Sequence, residues 1–273
     1  MKFYDSHTHL NAEPLLQEWE SYLQRFIDAG GVGIVNSGAS EEYNIQAIEI
    51  SKQSSDKNIL VKATLGWHPM ECFEGDITLV TIAPKMQWIR DRYLANKECV
   101  VGIGETGIDV HYPRGLETLD IQKQLFIEHC KLAREFNLPL VIHSRDDFET
   151  TFEIIKNYTD LTIYFHCRGY GTEQINRLQV EGSRLGWKLF FGFCGNVTYK
   201  NAQVSRDSLA MIARDQILLE TDAPYLAPQI VRGETNHPAN VKYIYQYVAE
   251  YLKMDIEELA LQVEKNFKAV YGL

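Results

Sequence analysis

Residues 3–14 read FYDSHTHLNAEP, a strand-like start that turns polar and ends without a glycine loop. A doubly wound nucleotide-binding sheet announces its first strand with GxGxxG, which lets the backbone approach a pyrophosphate. Here the strand runs instead into His7 and His9, two residues apart and so on one face of an extended chain. That pattern favours a closed barrel, in which strand ends carry the functional side chains to one mouth.

Outward from this strand the same alternation repeats. Strands are expected at Phe3–His9, Val32–Ser37, Leu60–Leu65, Val100–Glu105, Leu140–His143, Thr162–His166, Lys188–Phe193 and Ile217–Asp222. Helical apolar spacing is expected near 12–29, 41–54, 78–95, 118–136, 147–157, 172–182 and 205–214. Two further helices, near 238–252 and 256–270, are expected to pack on the barrel. Apolar strands alternating with helices indicate a parallel sheet, and eight of them close a (β/α)8 TIM barrel. The expected fold is α/β, a single barrel domain over residues 1–273 with additional C-terminal helices.

Composition limits the function classes. The chain has 27 Lys plus Arg against 37 Asp plus Glu, a net charge of −10, and 45% hydrophobic residues. This is a globular composition, and its acidity argues against coating nucleic acid through bulk charge. It does not exclude an enzyme that meets a phosphate with cations. No apolar run approaches the ~18–20 residues of a membrane helix, and the N-terminus has no apolar signal core. Neither a membrane partner nor a cleaved leader is expected. Five cysteines, an odd number without CxxC, lead us to expect reduced thiols and a cytoplasmic location.

The strand ends carry the chemistry. His7 and His9 can hold one divalent cation as a pair. Asp5 has their parity and can orient one of the rings, or simply cap a turn. His143 and His166 each close an apolar run; alone, either reads as a core histidine, but two on adjacent strands beside an HxH read as ligands. Glu105, at the tip of VVGIGETG, has no packing reason to be there and, placed centrally, can bridge two ions. Asp109 reads equally as a loop acid or as a group facing the site. Asp222, after ILLETD, can bind metal and take a proton from water, and Glu220 offers a further acid. Ser144 and Cys167 adjoin these residues without a nucleophile elbow and read as structural.

Four His, one Glu and one Asp suffice for two divalent ions about 3.5–4 Å apart, with an open position for water. Such a pair lowers the pKa of a shared water and neutralises charge in the transition state. The mixed donors suit Zn, Mn or Co, and Mg where carboxylates dominate. The expected cofactors are therefore two divalent metal ions per subunit.

The motifs DSHTHL (5–10), GWHP (66–69), GETGID (104–109), PLVIHSR (139–145), HC (166–167), GFCGNVTYKNA (192–202) and LETDAPYLAP (219–228) run in one order across nearly the whole chain. In this order they resemble the TatD family of metal-dependent deoxyribonucleases, within the amidohydrolase-like barrels. The resemblance implies that His7, His9, Glu105 and Asp222 hold one metal, and Glu105, His143 and His166 the other. It implies catalytic roles for Asp222 and Glu105, and substrate-phosphate contacts at His68 and Arg145. The chain departs from the family at 166–170, His-Cys-Arg-Gly-Tyr in place of His-Cys-Phe-Ser-Gly, and at 232–238, RGETNHP. The departure gains Arg168, whose guanidinium can supply a bidentate phosphate contact.

The function expected from this resemblance is hydrolysis of DNA phosphodiester bonds by a metal-activated water, with a single strand or strand end as substrate and 3'-5' exonuclease action favoured. Trp67, Tyr170 and Tyr225 lie near strand ends and are candidates for stacking bases. The alternative keeps the metals and changes the bond, to an ester or amide such as an aminoacyl ester on tRNA. A non-catalytic binding module is the third reading, opposed by the cost of burying unpaired carboxylates and imidazoles.

Overall fold

The computed structural model describes residues 1–167 and 169–273. The β-rich runs form β1 (Phe3–Thr8), β2 (Gly31–Ser37), β3 (Leu60–Leu65), β4 (Val100–Asp109), β5 (Leu140–Arg145), β6 (Thr162–Phe165), β7 (Lys188–Phe193) and β8 (Ile217–Leu219). Each strand pairs in parallel with the next, in chain order. Backbone bonds beyond β8 join the first strand to the last: Asp222 N–H donates to the His7 carbonyl (3.0 Å) and His9 N–H to that of Ala223 (2.7 Å). The architecture is the (β/α)8 barrel.

Among the described residues ten helices surround the sheet: α1 (Trp19–Asp28), α2 (Glu41–Gln53), α3 (Ile82–Ala95), α4 (Pro113–Glu117), α5 (Leu119–Phe136), α6 (Phe148–Ile155), α7 (Thr172–Leu185), α8 (Gln203–Met211), α9 (Val241–Leu252) and α10 (Ile256–Tyr271). Local chemistry starts several of them. Ser40 caps α2 by accepting from Tyr43 N–H, Asp147 caps α6 through Thr150 N–H, and Asp255 caps α10 through Glu257 and Glu258 N–H. The helix expected at 12–29 begins only at Trp19, after a 3-10 turn at Leu16–Glu18.

Two apolar layers sit on either face of the sheet. Outside, strand residues such as Ile34, Ile103, Ile142 and Phe165 pack with helix residues such as Phe26, Ile48, Ile89 and Phe126. Inside, Tyr4, Val35, Val101, Val141, Tyr164, Phe190 and Leu218 form one ring, into which α10 inserts Phe267, Val270 and Tyr271. Hydroxyls from α9 and α10 fasten this plug: Tyr245 donates to the Tyr4 carbonyl (3.1 Å) and Tyr271 to that of Ser6 (2.8 Å).

Three strands depart from regular pairing. β2 gains one residue on β1 where Phe3 pairs with Gly31 but Tyr4 with Gly33, and β4 gains one on β3 where Ala63 pairs with Val100 but Thr64 with Gly102. β1 and β4 are irregular again further on. Asp5 pairs with Ile34 and Thr8 with Asn36, so β1 advances one residue more than β2. Likewise Ile103 pairs with Leu140 and Thr106 with Ile142, so β4 gains one residue on β5. An extra residue reverses which side chains face inward. Beyond its irregularity β4 continues to Asp109, longer than expected, whereas β8 stops at Leu219, short of the expected Asp222.

The thiol expectation is corrected. Cys167 and Cys194 form a disulfide, with Cα atoms 5.5 Å apart, while Cys72, Cys99 and Cys130 are free and buried. The partners lie 27 residues apart and become neighbours only because β6 and β7 are adjacent, which no sequence spacing signals. Among the described residues no helix is long and apolar enough to cross a membrane.

Candidate metal centre

Regular alternation delivers half of the site. On β5, Val141 faces the barrel interior and His143, two residues on, follows it; Tyr164 on β6 and His166, directly after that strand, do the same. The other half needs the irregular strands. Phe3 and Ile103 lie in the outer layer, yet His7 and Glu105, of the same parity, turn into the mouth. Gly104 and Gly107 bracket this turn with φ of 139° and 145°. A β-carbon at either would collide with a β5 carbonyl oxygen, that of Val141 or of His143. These glycines let β4 press against β5 and bring Glu105 to His143.

Glu105 is the centre of the constellation, and its two oxygens face different imidazole pairs. Oε2 lies 3.4 Å from His7 Nε2 and 3.5 Å from His9 Nε2. Oε1 lies 2.9 Å from His143 Nδ1 and 2.7 Å from His166 Nε2. Asp222, held at φ 54°, directs Oδ1 to within 3.7 Å of His7 Nε2 and 3.5 Å of His9 Nε2. All six expected ligand residues are thus brought together.

The far nitrogen of each ring fixes what the near one can do. His9 Nδ1–H donates to the Ser37 carbonyl (3.2 Å), which leaves Nε2 with the lone pair when the ring is neutral. Ser37 Oγ meets His7 Nδ1 at 3.1 Å. His143 Nε2–H donates to Asp109 Oδ2 (2.9 Å), so Nδ1 is its inward atom. His68 is arranged the other way. Its Nδ1 accepts Met70 N–H (3.1 Å), so its Nε2 carries the proton and points at Glu105 Oε1 from 3.5 Å. His68 is therefore a donor aimed at the centre and not a ligand.

Electrostatics follow from burial and neighbours. Burial alone would raise Glu105, but the imidazoles of His166, His68 and His143 hold it well below the usual carboxylate range. Asp222 is likewise held down against burial, by His9, His166 and His7. Burial would lower His9 and His143, but facing carboxylates raise them to about 10 and about 9. Burial and the adjacent His166 lower His7 to about 4; burial and His143 lower His68 to about 3. Beneath the mouth, burial raises Asp5 to about 7 and lifts Glu220 well above its ordinary value.

The residues fit divalent ions. His7 and His9 aim Nε2 atoms at each other at 3.2 Å, a spacing that two nitrogens about 2.1 Å from a shared ion readily adopt. Glu105 and Asp222 are both buried and both held ionised at the mouth, a pair of charges that bound cations would offset.

Several expectations are refined. Asp5 does not reach a histidine ring; it accepts Thr221 N–H (2.8 Å) and Oγ1–H (2.6 Å), and it touches His7 only through the backbone N–H. Asp109 is a buried partner of His143 rather than a loop acid. Arg145 is exposed at the rim, its guanidinium 5.6 Å from the Tyr112 ring centroid, with no ion pair among the described residues. Arg168 lies outside the described residues. Trp67 is fully buried, its Nε1–H donating to the Lys85 carbonyl, and Tyr170 packs between Phe148 and Phe165. Neither is placed to stack a base. Tyr225 is half exposed and 6.2 Å from the His9 ring. The sequence reading missed Ser37, which carried no signal beyond its place at the end of a strand.

A barrel whose mouth gathers four imidazoles and one aspartate around one shared glutamate belongs to the metal-dependent hydrolases. Comparison with known proteins narrows the class: the family described as TatD related DNase matches residues 4–272, and the chain belongs to that family. It is 33% identical over 272 residues, 99% of each chain, to a protein of Bacillus subtilis (strain 168) named as the metal-dependent hydrolase YabD, uncharacterized. Among solved structures it is similar to YJJV, a TatD homolog of Escherichia coli K12, with a TM-score of 0.84, 26% identity and coverage of 99% of this chain and 98% of that one. A TatD family hydrolase from Entamoeba histolytica shares the fold, with a TM-score of 0.83 at 20% identity and coverage of 99% and 98%.

Proposed function

We propose that the chain is a two-metal phosphodiesterase acting on DNA, with a single strand or a strand end as substrate. The observation that carries the reading is Glu105, whose two oxygens face two separate histidine pairs. On this reading His7, His9, Glu105 and Asp222 hold one ion, and Glu105, His143 and His166 the other. When bound, two divalent ions supply Lewis acidity, activating water and neutralising charge on a phosphodiester.

The remaining chemistry belongs to side chains. Asp222, kept ionised by its imidazole neighbours, accepts a proton from the attacking water. His68, neutral and fixed as an Nε2–H donor, offers a hydrogen bond to a phosphate oxygen entering from solvent. Arg145 stands at the rim as a cation for the next phosphate, and Tyr225 offers the exposed ring on which a terminal base stacks. The family description supports a DNA substrate.

The test is hydrolysis of end-labelled single-stranded and duplex DNA by metal-stripped protein with Mg, Mn or Zn restored, beside Asp222→Asn. Metal-dependent cleavage lost in the variant is the expected result, and the product ladder separates stepwise from internal cutting. Bound ions without cleavage of either DNA would overturn the reading and direct the assay to carboxylic esters and amides, including aminoacyl-tRNA.

A further inference from the structure

Cys167, which the reaction above does not use, directly follows His166, and Cys194 directly follows β7. We propose that the Cys167–Cys194 disulfide is a redox-controlled tie that positions His166 and so sets the hold of the site on its second ion. The proposal rests on the two-ion reading.

The β6–β7 ladder ends at the pair Phe165 and Phe191, so at the mouth the covalent link continues what backbone pairing has ceased to do. Cys167 is held at φ 36°, a left-handed conformation uncommon for a residue with a β-carbon. Its backbone N–H donates to Glu220 Oε1, and the Tyr164 hydroxyl donates to Oε2. The same Oε1 lies 3.9 Å from His166 Nδ1, a buried ring nitrogen with no hydrogen-bond partner among the described residues. The disulfide thus fixes Cys167, Cys167 fixes Glu220, and Glu220 is the carboxylate facing the ring whose other nitrogen meets Glu105. Partners of this kind orient metal-binding histidines.

The reduced state is also provided for. The Asn196 amide lies against both sulfurs, Oδ1 3.3 Å from Cys194 Sγ and Nδ2 3.7 Å from Cys167 Sγ, so a Cys194 thiol finds an acceptor in place. Cys167 is partly exposed and Cys194 fully buried, so an external thiolate attacks Cys167 and Cys194 leaves. With a dithiol as reductant the step balances. The protein S–S bond breaks, the dithiol closes to its own disulfide, and its two electrons and two protons pass to Cys167 and Cys194. His7 on β1 stacks on the His166 ring, centroids 4.0 Å apart. Neither it nor His9, just after β1, nor Asp222, beyond β8, bonds to Cys167 or Glu220 among the described residues, so the first ion is retained.

The experiment is to equilibrate the whole protein with oxidised or reduced dithiothreitol, count alkylated cysteines by mass after acid quenching, and measure Mn2+ binding by equilibrium dialysis. Mn2+ prefers oxygen and nitrogen donors, so newly freed thiols add no site for it. The expected result is three alkylated cysteines when oxidised and five when reduced. On reduction the affinity for the second Mn2+ falls about tenfold and that for the first is unchanged. Cys194→Ser is expected to show the weaker affinity under both conditions. Five alkylated cysteines throughout, or a second-ion affinity indifferent to reduction, overturns the proposal with no variant needed. Uptake of one Mn2+ regardless of redox state overturns the two-ion reading and the proposal with it, an outcome distinct from two ions held equally well.

Discussion

His143 stands on, and His166 directly after, a strand whose side chains alternate without interruption, in from Val141 and Tyr164 at each step of two. His7 and Glu105 stand on strands that break that rhythm, each in a stretch that advances one residue more than its neighbour, Asp5–Thr8 against β2 and Ile103–Thr106 against β5. Had β4 stayed regular, Glu105 would have followed Ile103 into the outer layer among the helices. The contrast shows a division of labour. A ligand needed by one ion can sit on an ordinary strand, but the carboxylate shared by two must be moved to the middle, and an inserted residue moves it.

The largest effect is expected where the two halves meet. Glu105→Gln should lose both ions and lower hydrolysis by about 10²–10³-fold or more, while His166→Ala should empty only the second site. Metal content per chain checks both, and loss of a single ion from the glutamine variant would assign Glu105 to one half alone. Next comes the irregular strand itself. Gly104→Ala places a methyl group against Val141 at a φ of 139°, a conformation expected to cost about 1–3 kcal/mol. In the regular strand Ile142→Val should cost about 0.5–1.5 kcal/mol, and denaturant midpoints compare the two.

A finer comparison removes the groups behind the rings. Asp109→Asn should weaken the second ion by about 10–100-fold, and Ser37→Ala the first by less than about tenfold, because a carboxylate polarises its imidazole more than a hydroxyl does. Equal losses at both ions in either variant would dissolve the distinction between the halves. A last test is pH, whose effect grows with the interval spanned. In the ion-free chain His9 and His143 are raised to about 10 and about 9, so at neutral pH each carries a proton that an incoming ion must displace. Affinity should therefore rise with pH across 6–8, by up to about tenfold per unit for each proton released. Dialysis at several pH values measures it, and a flat profile would mean that these rings are neutral before metal arrives.

Much of the site was legible because its chemistry is expensive to hide. Glu105 between glycines stood out as a residue without a packing purpose, and His143 and His166, each readable alone as a core histidine, stood out as a pair beside the HxH. Their partners did not. Ser37 acts through one hydroxyl and one carbonyl, groups every strand end offers, and Asp109 looked equally like a loop acid until β4 was seen to continue past the irregularity. Trp67 is a stacking candidate in the sequence and core in the structure, where His129 accepts its backbone N–H from 62 residues away.

Periodicity by itself determined that this chain builds eight parallel strands wrapped in helices, since alternation of apolar runs is a local property. It also determined which residue types could bind metal. Only the tertiary structure decided that Glu105 faces inward, that its oxygens divide between two imidazole pairs, that His68 is a donor, and that Cys167 meets Cys194. Apart from His68, whose ring is fixed locally by Met70 N–H two residues on, each of these depends on register between neighbouring strands, which is set by packing across the barrel and leaves no trace in the spacing of residues along the chain.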